Sequence, residues 1–214
     1  MLETLFAAKR VLVLGAHPDE ELGCGGTISK LVKRGIKVYH YYFSTCVESL
    51  QDLGLPEDML IEECNACRRI LGIDPAKCGH FDFPVRRFPE HRQAILDTML
   101  MLKKQINPAL VMVPNGHDIH QDHNVIYKEA LRAFKHASLL GFEMPWNTLT
   151  MDHDCLVEID KDDLDRKISA VACYKSQAGR NYANIEFFQS LAKVRGVQGN
   201  MPYAECYEVV RLYL

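Results

Sequence analysis

The chain has 214 residues, enough for one sizeable core, and with 48% hydrophobic and 25% charged residues its composition is that of an ordinary globular protein. A net charge of −3 and a pI near 6.3 leave no basic footprint, which argues against nucleic acid or an anionic membrane as partner. The opening MLETLFAAKR is too short for a signal-peptide apolar region and carries Glu3, and no later apolar run reaches bilayer length, so the expectation is one cytoplasmic domain over residues 1–214 without a membrane span.

Val11, Leu12, Val13 and Leu14 form an unalternating apolar run, as expected of a strand buried on both faces. His17, Asp19, Glu20 and Glu21 follow at its C-terminal end, where open α/β sheets keep their ligands. Gly23, Gly25 and Gly26 then predict a tight turn into a helix running to about Arg34. A dinucleotide-binding loop has the same outline, but it needs glycine directly after the strand, and carboxylates there repel phosphate. A divalent cation suits this loop better, against the plainer reading of an acidic helix N-terminus.

IKVYHYYFS, residues 36–44, predicts a second strand, opening through Ser44 to Glu48 onto the same edge as His17. A helix follows from about Pro56 or Glu57 to Gly72. It carries Cys64 and Cys67 at helical spacing, and these read as small apolar core residues, since the eight cysteines are scattered without a disulfide framework. KCGHFDF, 77–83, is a short third strand, PVRRFPE an arginine-rich loop, and 91–106 an amphipathic helix. ALVMV, 109–113, is a second unbroken apolar strand, ending in PNGHDIHQDH, and 124–141 reads as one helix closed by Gly141. A strand near 151–159, helices over 164–179 and 185–199, and a final strand over 206–214 complete an α/β chain with a mostly parallel sheet.

Two buried strands of one parallel sheet deliver their following loops to the same edge. His17, Asp19 and Glu20 should therefore face His120, Asp122 and His123. Two imidazoles and a carboxylate make a three-ligand site with a position left for water, which suits catalytic zinc. A spare carboxylate can then take a proton from that water, and a spare histidine can hydrogen-bond or protonate what it attacks. Asp122 can fix the tautomer of a ligating histidine.

GAHPDEELGCGGTI resembles the opening motif of the LmbE/PIG-L-type N-acetyl-sugar deacetylases, and DIHQDH resembles their second motif. PVRRFPEHRQAIL, YKSQ at 174–177 and MPYAECYEVVR extend the resemblance over nearly the whole chain. It implies a Rossmann-like fold, with the sheet flanked by helices on both faces, and zinc-dependent hydrolysis of an N-acetyl group. It also implies His17 and His123 as ligands, Asp19 as base, and His120, preferably as imidazolium, assisting at the carbonyl. Glu20 replaces the family's usual ligating aspartate in a loop one residue shorter. Counting from His17 makes Glu20 the third ligand, whereas an alternative register makes Asp19 the ligand and leaves the base open.

The expected substrate is a small N-acetylated sugar or glycoconjugate, with Arg87 as a contact to a hydroxyl or phosphate. The segment from Tyr174 to Gln177 would line the same mouth, and Trp146 would stack on a sugar or be buried. Rival readings are a metal hydrolase of another amide or an ester, with another divalent metal in place of zinc, and a non-catalytic sugar-binding relative. Nothing in the sequence speaks to oligomeric state.

Overall fold

The computed structural model describes residues 9–213, so the signal-peptide reading of the first residues falls almost wholly outside the described residues. Seven strands form one sheet in the order β3-β2-β1-β4-β5-β7-β6. They are β1 (Arg10–Gly15), β2 (Lys37–Tyr42), β3 (Cys78–His80), β4 (Leu110–Pro114), β5 (Ser138–Phe142), β6 (Cys155–Glu158) and β7 (Ala204–Arg211). The first five in sequence pair in parallel, and β7 runs antiparallel between β5 and β6. This is the expected α/β, Rossmann-like, mostly parallel sheet, and helices cover both of its faces.

Successive residues of β1 feed opposite faces, as strand geometry requires. Val11 and Val13 pack with Ile28 and Leu31 of α1 (Gly25–Lys33) and with Cys64 and Cys67 of α3 (Met59–Leu71). Leu12 and Leu14 pack with Ile95 and Met99 of α4 (Arg92–Ile106) and Ile126 of α5 (Gln121–Ala133). The C-x-x-C pair is thus core, and all eight cysteines are free thiols. α3 ends at Gly72, whose φ of 79° is the left-handed cap that glycine reaches without steric cost. The short α2 (Val47–Asp52), α6 (Lys161–Val171) and α7 (Ile185–Gln198) complete the α-helices of the described residues. None of these is long and apolar enough to cross a membrane.

Two local expectations are corrected. The reading of 124–141 as one helix fails because α5 stops at Ala133 and SLLGF becomes β5, buried along its whole length between β4 and β7. A short apolar run has no period that separates a buried strand from a helix tail. The glycines after His17 do not form a turn either. Residues Glu20–Cys24 are a 3-10 helix that runs straight into α1. Gly23 and Gly26 serve close packing instead: a Cβ would lie 2.7 Å from the Phe142 ring and 2.7 Å from Ile159 Cδ1.

That close approach lets β7 hold α1 by its N-terminus. Glu205 accepts the backbone N–H groups of Gly26 and Thr27 at 2.9 and 2.7 Å, and Lys167 Nζ pairs with it at 2.6 Å, all buried. Glu205→Ala would leave an ammonium and two helix donors unpaired. We expect a loss of about 3–5 kcal/mol in urea unfolding, the usual cost of breaking a buried pair from one side.

Candidate active site

β1 and β4 are neighbours in register, Val11 beside Leu110 and Val13 beside Met112. The strand order reverses between them, β2 and β3 lying to one side and β5 to the other, so a crevice opens beyond their C-terminal ends. His17 follows β1, and the segment from Asn115 to His123 follows β4 into α5. The two clusters therefore meet.

His17 Nδ1 lies 3.2 Å from His123 Nε2, and Glu20 Oε1 lies 3.0 Å from the first and 2.9 Å from the second. Each imidazole is steered by its other nitrogen. His17 Nε2 meets Asp122 Oδ2 at 3.0 Å and His123 Nδ1 meets Asp118 Oδ2 at 2.7 Å, so in the neutral rings the protons belong on those nitrogens and His17 Nδ1 and His123 Nε2 are the ones left to ligate. Donors about 2.0–2.1 Å from a tetrahedral zinc stand roughly 3.3 Å apart. Two nitrogens and an oxygen with this spacing and buried surroundings fit a divalent ion.

The carboxylates are themselves held. Asp122 accepts the backbone N–H groups of Arg86 and Phe88 at 2.6 and 3.2 Å, and Asp118 Oδ1 accepts that of His120 at 2.8 Å. Glu20 accepts those of Ala16 and His17, both at 2.8 Å. Asp19 differs: it lines the cavity, and its carboxylate meets its own backbone N–H but accepts no hydrogen bond from another described residue. Burial raises its pKa, against the pull of His17.

His120 is the N-cap of α5, its Nδ1 accepting the Asp122 N–H at 3.2 Å, which leaves the proton on Nε2. Its ring packs 4.9 Å from that of His17 and 4.5 Å from that of His123. Burial and the two neighbouring imidazoles push its pKa down to about 4. The expected imidazolium is therefore replaced by a neutral ring that still offers an N–H.

For His123, burial favours the neutral ring but is outweighed by Glu20 and Asp118, which carry the pKa of the metal-free site up to about 10. An incoming ion must displace that proton. The apparent affinity for a divalent ion should then climb about tenfold per pH unit for each proton released, from about pH 6 to 8. Calorimetry in buffers of different ionisation enthalpy would count the protons; pH-independent binding would contradict this.

Above these groups is a cavity of about 310 Å³. Leu50, Leu60 and Met144 line its apolar side, Gln177, Arg180 and Tyr182 its polar wall. Trp146 reaches it stacked on Tyr182, ring centroids 4.2 Å apart. Of the arginines in PVRRFPE, Arg86 lines the cavity, turned there by a φ of 68°. Arg87, expected as the substrate contact, is not among the lining residues; it is exposed and lies 3.5 Å from Glu90. Adjacent residues of an irregular loop face different ways, and no period in the sequence tells which.

Residues 12–134 match the family model described as PIG-L, GlcNAc-PI de-N-acetylase. The chain belongs to this family. It is 27% identical over 186 residues to the "Uncharacterized deacetylase YaiS" of Escherichia coli K12, covering 82% of this chain and 96% of that protein. The N,N'-diacetylchitobiose deacetylase of Pyrococcus horikoshii superposes with a TM-score of 0.79 at 21% identity, over 97% of this chain and 86% of that one. GalB of Pseudomonas putida KT2440, a 4-carboxy-2-hydroxymuconate hydratase, superposes with a TM-score of 0.77 at 22% identity, over 96% and 97%. One backbone thus carries different reactions, and the residues in the crevice must decide. Among the PIG-L residues here, the contact of Asp118 with His123 was not legible in the sequence, whereas the Arg86–Arg87 pair was, though not which of the two faces the cavity. For Asp118 a signal existed, a carboxylate five residues before the histidine it touches, but such spacing is common in loops.

Proposed function

We propose that this PIG-L family protein is a zinc-dependent N-deacetylase that hydrolyses the acetamide of an N-acetylated amino sugar or glycoconjugate to a free amine and acetate. The observation that carries the reading is the convergence of His17 Nδ1, His123 Nε2 and Glu20 Oε1 beside the cavity-lining carboxylate of Asp19. When bound, the ion supplies Lewis acidity, bringing the pKa of a water toward neutrality and polarising the amide carbonyl. His17, His123 and Glu20 hold it, and Asp122 and Asp118 keep the imidazoles in their ligating tautomers. Asp19 accepts the proton of the attacking water and, once protonated, returns it to the departing amine. His120 presents Nε2–H to the carbonyl oxygen as negative charge builds there.

The cavity sits at the small end of ligand sites, which suits one sugar ring with its acetamide rather than a long chain. The Trp146–Tyr182 wall offers an aromatic edge to a sugar, and Arg86, in place of Arg87, is the arginine we assign to a hydroxyl or anionic substituent. The purified zinc-loaded protein, tested for acetate release on N-acetylglucosamine derivatives and on acyl esters, tests the reading. Release from acetamides but not esters is expected; turnover of esters alone would favour a different hydrolase.

A further inference from the structure

Buried beneath the loop from His17 to Glu20 is a side chain to which no catalytic part has been given. Tyr174 follows α6 and is only 3% exposed, its ring in the apolar cluster with Leu22, Leu60 and Cys64. Its hydroxyl donates to the backbone carbonyl of Pro18 and makes a hydrogen-bond contact with Glu21 Oε1. The sequence expectation that Tyr174 lines the mouth is thereby corrected: Gln177 lines it, and Tyr174 supports it from below.

The Pro18 carbonyl belongs to the peptide that joins Pro18 to Asp19. The orientation of that peptide plane sets the direction of the Asp19 Cα–Cβ bond. His17 and Glu20 have independent restraints, His17 through Asp122 and Glu20 through the N–H groups of Ala16 and His17. Asp19 has only its own backbone N–H on its carboxylate and no hydrogen bond from another described residue, so its aim depends on its backbone and hence on what grips Pro18. The grip comes from 156 residues away, on an element that also carries Ser176, whose N–H donates to Glu63 of α3 at 2.9 Å. The anchor is itself anchored.

Building on the deacetylase reading, we propose that Tyr174 is a positioning residue that sets the aim of Asp19 through the Pro18 carbonyl, without taking part in metal binding. A misplaced base is costly: a displacement of about 1 Å is worth on the order of a hundredfold in rate. Removing one hydroxyl while keeping the ring preserves the apolar packing and frees only the loop.

The test is a double-mutant cycle on the zinc-loaded protein with an acetamide substrate. Tyr174→Phe is expected to lower kcat about 10- to 100-fold with KM and zinc content unchanged. In an Asp19→Asn background the same substitution should cost nothing further, since the group it positions is already gone. Glu21→Leu removes the hydroxyl's other partner but keeps its bond to the Pro18 carbonyl, so it should hold kcat within about threefold of the wild type and separates the Pro18 grip from a general loosening of the buried cluster. If the Phe variant folds poorly, Tyr174→Trp, which keeps a large ring but places no hydroxyl at Pro18, should repeat its two results. Losses that add in the Asp19→Asn background, loss of zinc, wild-type kcat in the Tyr174 variants, or an equal loss in Glu21→Leu would overturn the proposal. A wild-type protein that releases no acetate from any acetamide would overturn the deacetylase reading, and the role of Tyr174 with it.

Discussion

Asp19→Asn is expected to lower kcat by about 10²–10⁴-fold while the protein keeps its full complement of zinc. Asparagine fills the same space but cannot accept a proton from water, so the loss falls on the chemical step. Metal should stay because the donors that converge are His17 Nδ1, His123 Nε2 and Glu20 Oε1. The alternative register, with Asp19 as ligand, makes the opposite prediction: the variant would lose its ion along with its activity. Metal analysis beside single-turnover kinetics separates the two, and a variant with full activity would remove Asp19 from the mechanism.

His123→Ala should be the more damaging change. It deletes one of three ligands and leaves Asp118 buried without its imidazole partner. Deleting an outer partner of a ligating histidine costs about 10- to 100-fold in metal affinity. Asp118→Asn should therefore fall in that range, and His123→Ala should exceed it and abolish turnover at stoichiometric zinc. Competition against a chromophoric chelator gives both numbers. Equal affinities for the wild type and His123→Ala would place the ion elsewhere.

Much of this site was legible before the fold was known, for a physical reason. β1 and β4 are buried on both faces, so each appears as an unbroken apolar run, and the residues directly after such runs in a parallel sheet share one edge. Proximity of His17 to His123 followed from that alone. β5 was not legible: SLLGF is as fully buried as β4, but with Ser138 and Gly141 it is a weaker apolar run that follows α5 after a short connection, and composition gives no boundary there. Groups whose partners are distant in sequence were equally hidden. The Tyr174 hydroxyl reaches Pro18 and Glu205 reaches the N-terminus of α1, and neither contact leaves a local pattern. The lowered pKa of His120 comes from burial and then from the imidazoles packed against it, which only the assembled crevice brings together.

The central claim is that one ion is shared by the loops after β1 and β4. A crystal structure of the zinc-loaded protein tests it most directly. The account predicts a single zinc in this crevice bonded to His17 Nδ1, His123 Nε2 and Glu20, with both nitrogens at about 2.0–2.1 Å. Zinc bound by only one of the two histidines, or bound away from both, would contradict it.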